Sequence, residues 1–199
     1  MNILNIKFNL ILAVGLSITG ILSGLYWYHG AFSDVEFRES MYGPQDFVYL
    51  NRIGNYENLG SDWAKVQNEV YKQFNNVLFI GIYYDNPEQL KDPNQARASL
   101  GFSVDNNEKD KIKVFLDNNP SYKLVQLPEV KSYSTSFPYK SQFSLIVVKE
   151  KVYPKVNELV SEKKLSPYCL VETYYLQQKN KQVNFDIPTG ENSQKYFLF

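Results

Sequence analysis

"VLFIGIYYD", residues 77–85, and "CLVETYYL", residues 169–176, decide the fold of this chain. Each is a short apolar run that closes on a pair of tyrosines, and the branched and aromatic content of both reads as strand. Each also follows a stretch with helical spacing. Before the first, "SDWAKVQNEVYKQF" (61–74) sets Trp63, Val66, Val70 and Phe74 three to four residues apart, with Ser61 and Asp62 placed to cap its start. Before the second, residues 143–164 read as helix, with Pro154 a kink or break.

Working outward, the plan repeats even though the sequence does not. "FVYLNRIGNY" (47–56) reads as a strand ending in a turn at Gly54, and "ASLGFSV" (98–104) as the strand after 77–84. In the second half, 122–139 is a strand region broken at Pro128, and "QVNFDIP" (182–188) follows a turn at Lys179-Asn180. Each half therefore runs strand, helix, strand, strand. Tyr83-Tyr84 answers to Tyr174-Tyr175, and Tyr56 to Tyr139. The expected fold is α+β: duplicated β-α-β-β units, an antiparallel sheet with its helices on one face, and a pseudo-twofold groove where the halves meet. The closing "KYFLF" reads as a last strand.

The composition bounds the function. Lys+Arg and Asp+Glu are 21 each, which leaves no basic footprint for nucleic acid. A single cysteine, Cys169, excludes an internal disulfide framework, and no His/Cys spacing suits a metal. The lone histidine, His29, lies outside the expected domain, so no Ser-His-Asp or Cys-His arrangement is expected within it. No phosphate-binding glycine loop occurs, and no catalytic residue or cofactor is assigned.

Residues 8–28, "FNLILAVGLSITGILSGLYWY", carry no charge, and a helix of that length spans roughly 30 Å, one bilayer core. Tyr26, Trp27 and Tyr28 occupy an aromatic-belt position, and the run is longer than a cleaved signal's apolar core. The expectation is a retained single-pass transmembrane helix: anchor and connector over 1–33, domain over 34–199. Lys7 and Arg38 balance across it, with a lean towards an inside N-terminus. The mitochondrial inner membrane is slightly favoured over the ER membrane. Gly15, Ser17, Thr19, Gly20, Ser23 and Gly24 would let a second helix approach closely.

"GIYYDNPEQLKDPNQARASLGFSV" and "TSFPYKSQFSLIVVKEKVYPKVNELVSEKKLSPYCLVETYY", together with the duplicated plan, resemble the gyrase-inhibitor-like domain family. That family includes the effector-binding modules of bacterial multidrug-sensing regulators, and the likeness extends to its membrane-anchored, ER-phagy-receptor branch. The resemblance covers roughly residues 34–199. It implies that Glu172, in the late strand, attracts a lipophilic cation while aromatic faces stack on it. Tyr174, Tyr83, Tyr84 and Asp85 are the further candidates for the groove. The competing reading has Glu172 paired with a lysine and the tyrosines as sheet packing. The autophagy role, which in that branch rests on an acidic tail with a short binding motif, is not carried over.

Three functional expectations follow. The first is a non-catalytic accessory or scaffold subunit of a larger membrane complex, such as a respiratory assembly, with the lipid bilayer and neighbouring subunits as partners. The second is a membrane-tethered adaptor or small-molecule sensor. The third is a small-molecule hydrolase, which some members of the family imply.

Overall fold

The computed structural model describes residues 3–199, with the side chains of 3–13 and 106 outside the description. Helix α1 spans Ile3–Tyr28, followed by strands β1 (Arg38–Tyr42) and β2 (Gln45–Ile53). Helix α2 (Leu59–Val70), β3 (Val77–Tyr83) and β4 (Arg97–Val104) complete the first half. Helix α3 (Asp110–Asn118), β5 (Lys123–Leu127), β6 (Val130–Pro138), α4 (Phe143–Glu162), β7 (Leu170–Tyr175) and β8 (Gln182–Thr189) form the second.

The eight strands make one sheet in the order β1-β6-β8-β7-β3-β4-β2-β5, antiparallel at every recorded pairing. The order β6-β8-β7 is the reverse of β3-β4-β2 once equivalent strands are matched, so the halves meet where β3 pairs with β7. The outer strands are exchanged: β1 adds to β6 of the second half, and β5 adds to β2 of the first.

Strand alternation divides the side chains between two cores. On one face, Val48, Phe79, Leu100, Phe102, Tyr174 and Phe185 pack with Val66 and Val70 of α2 and Val147, Val148 and Val152 of α4. Phe115 of α3 joins this core against Phe74 and Phe102, with ring centroids 5.6 and 5.1 Å away. On the other face, Tyr42, Phe47, Tyr49, Ile80, Ile82 and Val171 gather around Tyr196. That residue ends a short 3-10 turn, Ser193–Tyr196, where a final strand was expected; its hydroxyl donates to the Pro128 carbonyl at 2.7 Å. Helix α2 starts at Leu59, two residues before the stretch that reads as helical. Asp62 ion-pairs with Arg52 at 2.6 Å, and no side chain caps the helix. Pro154 lies within α4 and does not end it.

The expected membrane span is corrected. Among the described residues, no helix is long and apolar enough to cross a membrane. The side chains of residues 8–13 of that span lie outside the described residues, as does Lys7. From Val14 to Tyr28, Gly15, Ser17, Thr19, Gly20, Ser23 and Gly24 dilute the apolar content, and Thr19 donates to the Gly15 carbonyl at 2.9 Å. The aromatic end of α1 also contacts the domain. Tyr26 packs against the helix-side core and donates a hydrogen bond to Glu150 of α4. The single-pass localisation, in either the mitochondrial inner or the ER membrane, therefore falls with the span.

The connector after α1 is fastened down. Lys151 Nζ donates to the carbonyls of Ala31 and Ser33 at 2.6 and 2.8 Å. His29, expected outside the domain, is buried against α4, with Nδ1 3.0 Å from the Ser144 hydroxyl. That hydroxyl, fully buried, also accepts from the Lys140 N–H, which makes the pair an anchor for the start of α4.

Candidate functional site

Glu172 occupies the middle of β7, beside the junction of the two halves, and is 2 % exposed. Alternation puts it on the helix-covered face with Tyr174, and the ladder sets Gly81 of β3 directly opposite. Two tyrosine hydroxyls donate to its carboxylate: Tyr153 to Oε1 at 2.8 Å and Tyr174 to Oε2 at 2.5 Å. The Tyr83 hydroxyl is a third group near enough to favour the ionised form. No lysine or arginine forms an ion pair with Glu172 among the described residues. The lysine-paired alternative is thereby replaced by a tyrosine cage.

Burial raises the Glu172 carboxyl above its ordinary value, and the three tyrosine hydroxyls oppose that rise without cancelling it. The phenols respond in turn. Tyr83, Tyr153 and Tyr174 are all pushed well up, first by desolvation and then by the neighbouring carboxylate. The cage is thus one hydrogen-bonded unit, a carboxyl and its hydroxyl donors in a low-dielectric setting.

Aromatic rings wall the cage. Trp63 of α2 meets Tyr174 edge-on with centroids 5.6 Å apart, and Tyr139 meets it at 6.1 Å. Tyr56 meets Tyr83 at 5.2 Å, and Tyr153 lies 6.2 Å from Phe185. Tyr153 is 37 % exposed as a whole residue although its hydroxyl is buried on the carboxylate, and Trp63, Tyr56 and Tyr139 are half-buried. Partly exposed aromatic residues therefore surround a buried carboxyl.

Among the sequence candidates, Glu172, Tyr174 and Tyr83 come together; Tyr84 and Asp85 do not join them. Tyr84 follows Tyr83 and so turns to the opposite face. There its hydroxyl pairs with Ser99 at 2.8 Å and its ring packs against Phe197 and Phe199. Asp85 sits at the rim, where Arg97 holds it: Nη2 reaches Oδ1 at 2.7 Å, and Nε and the backbone N–H reach Oδ2 at 3.0 and 2.8 Å. The Asp85 N–H also donates to the Tyr56 hydroxyl at 3.3 Å. Asp85 therefore braces the loop that carries Tyr56, away from the carboxylate cage.

Tyr153 is the residue of the Glu172 cage that the sequence does not single out. It lies on α4 one residue before Pro154, where a helical period marks only the buried valines. Cys169 is buried, and desolvation pushes its thiol well up, which suits packing and not nucleophilic attack. Among the described residues no group of His, Cys, Asp and Glu is placed to hold a metal ion.

No family model matches the chain. Human testis-expressed protein 264 is 25% identical over 120 residues, 59% of this chain and 37% of that protein. The D-ribulokinase YDR109C of Saccharomyces cerevisiae is 32% identical over 103 residues, 51% of this chain and 14% of that enzyme. The matches thus span well under half the length of either curated relative. Solved structures are similar in fold at low identity. SAV2435, solved bound to tetraphenylphosphonium, gives a TM-score of 0.51 at 10% identity, covering 78% of this chain and 94% of that one. The C-terminal domain of EcmrR gives 0.50 at 11%, covering 78% and 98%. The integron cassette protein VCH_CASS2 of Vibrio cholerae gives 0.51 at 10%, covering 78% and 99%. The resemblance read in the sequence therefore holds at the level of the fold that these structures share. Its membrane-anchored branch gains no support from the described residues.

Proposed function

We propose that this chain is a small-molecule-binding module whose ligand is a lipophilic organic cation seated on the aromatic surface above Glu172. The observation that carries the reading is a buried carboxylate whose recorded partners are hydroxyl donors, roofed by aromatic rings. Such a charge is costly to bury alone, and a soft cation over tyrosine and tryptophan faces would neutralise it without needing a hydrogen bond of its own. Tetraphenylphosphonium in the similarly folded SAV2435 is a cation of that kind. Tyr153 is the natural gate in this reading, since the residue is partly exposed and its hydroxyl donates to Glu172.

The order of strands about the β3–β7 junction favours reading the two β-α-β-β units as pseudo-twofold halves, with the site at the groove between them. In this reading the module senses or sequesters its ligand and transforms nothing. The test is calorimetric titration of the full chain with tetraphenylphosphonium. Saturable binding is expected, weakened by about tenfold or more in Glu172→Gln, the scale of one desolvated charge contact. Absence of saturable binding by the wild type, or equal binding by the folded variant, would overturn the proposal.

A further inference from the structure

A second carboxylate lies on the opposite face of the sheet, in a setting of a different kind. Asp186 of β8 is 4 % exposed and, like Glu172, is in no ion pair among the described residues. Its ladder partners are Val171 of β7 and Ser134 of β6. Both of its hydrogen bonds fall on one oxygen: Ser134 and, at 3.4 Å, Ser132 donate to Oδ1. Oδ2 accepts none among the described residues. It is not a sealed orphan either, because no side-chain polar atom there is both fully buried and unpartnered.

What lies beside Asp186 is a cleft of about 430 Å³, floored by β7 and β8 and rimmed by β1 and the turn into β2. Ser40, Tyr42, Ser134, Thr173 and Tyr175 line it with Asp186, and the lining includes no lysine or arginine. Its hydroxyls are already ordered. Ser40 and Ser134 are 2.5 Å apart, Tyr42 and Thr173 are 3.1 Å apart, and Gln45 donates to Tyr42. An anion would find no counter-charge here, and one carboxylate does not make a metal site. The lining is rich in oxygen acceptors where the Glu172 site is rich in ring faces.

We propose that this cleft is a binding site for a small organic ammonium ion bearing N–H donors, with Asp186 Oδ2 as its counter-ion. The N–H groups select it over a quaternary cation, because a carboxylate and hydroxyl oxygens reward donors that a quaternary cation lacks. Its charge supplies the partner that the chain itself does not provide to a buried carboxylate. The proposal is independent of the Glu172 reading, since the two carboxylates lie on opposite faces of the sheet.

The test titrates the isotopically labelled full chain with methylammonium chloride at neutral pH and follows backbone amide resonances, with tetramethylammonium chloride as the control. Saturable shifts centred on Ser134, Thr173 and Tyr175 are expected with methylammonium and not with the control. Asp186→Asn should weaken them by about tenfold or more, the scale of a charge-assisted hydrogen bond. Ser40→Leu, on an exposed position of β1, narrows the cleft without touching Asp186 and should weaken them as well. Glu172→Gln should leave them unchanged. Shifts that fail to saturate, that tetramethylammonium reproduces, that scatter over surface carboxylates, or that persist in both cleft variants would overturn the site.

Discussion

Gly81 stands directly across the β3–β7 ladder from Glu172, and its missing side chain leaves the space into which the Tyr83 ring folds. A Cβ at that position would lie 2.9 Å from both Tyr83 Cε2 and the Tyr83 hydroxyl oxygen. The glycine thus decides where a tyrosine two residues later can rest. Gly81→Ala should push the Tyr83 ring off the cage and cost about 1–3 kcal/mol, the usual range for overpacking. It should also weaken tetraphenylphosphonium binding. Urea unfolding and calorimetry measure the two effects, and an unchanged midpoint together with unchanged affinity would show that Tyr83 does not depend on the glycine.

Asp85 is held below its ordinary carboxylate range, first by the Arg97 side chain and then by the Arg97 backbone N–H, with burial opposing. A carboxyl with a lowered folded-state value stabilises the fold above its unfolded value, and the gain is lost as pH falls through the folded value. The Arg97 side chain is 38% exposed, so solvent screens the pair. Asp85→Ala should therefore cost about 1 kcal/mol at neutral pH and less in acid. A cost that stayed constant down to acid pH would assign the effect to loop packing instead of charge.

Asp186 carries the opposite sign. Burial lifts its carboxyl from 3.8 to about 6, against the pull of the Ser134 and Ser132 hydroxyls. The folded state then holds its proton more tightly than the unfolded chain. Its contribution is greatest below about pH 4 and is lost as pH rises through about 6, over a total of roughly 3 kcal/mol. The buried Glu172 acts in the same direction, so the informative comparison is Asp186→Asn against wild type. The variant should show a flatter fall in stability across that interval. Parallel curves would mean that Asp186 titrates alike in the folded and unfolded chain.

The strands read from apolar, branched and aromatic runs are where the structure has them, because strands covered on both faces write nearly continuous apolar runs into the sequence. Strand β1 has no such mark. "RESMY" is exposed at four of its five positions, and only its pairing with β6 makes it a strand. Helix α3 buries just Ile112 and Phe115 in nine residues, too few for a period to stand out. The site was readable in part: Glu172 and Tyr174 share a strand face by simple alternation. The same rule separates Tyr83 from Tyr84, so treating the tyrosine pair as one feature joined residues on opposite faces. Tyr153 reaches the carboxylate from α4, 19 residues away along the chain, and no local pattern encodes that meeting. The Asp186 cleft depends on the exchange of β1 onto β6, which is a property of topology and of no single stretch.

Tyr153 offers the sharpest probe of the cage. Its hydroxyl donates to Glu172 Oε1 at 2.8 Å, and that bond is among those that restrain the carboxyl's rise. Tyr153→Phe removes the donor and keeps the ring, so the carboxyl should titrate at a higher pH than in the wild type. Cation binding at this site needs the ionised form. The acid limb of tetraphenylphosphonium affinity should therefore move to higher pH, while affinity well above that limb changes by less than about tenfold because the aromatic face persists. Tyr153→Ala removes the face as well and should lower affinity at every pH. The full pH profile of affinity separates these outcomes. If Phe and Ala variants shift together across all pH, the ring acts only as packing. If the Phe variant leaves the acid limb in place, the Tyr153 hydroxyl does not set the charge of Glu172.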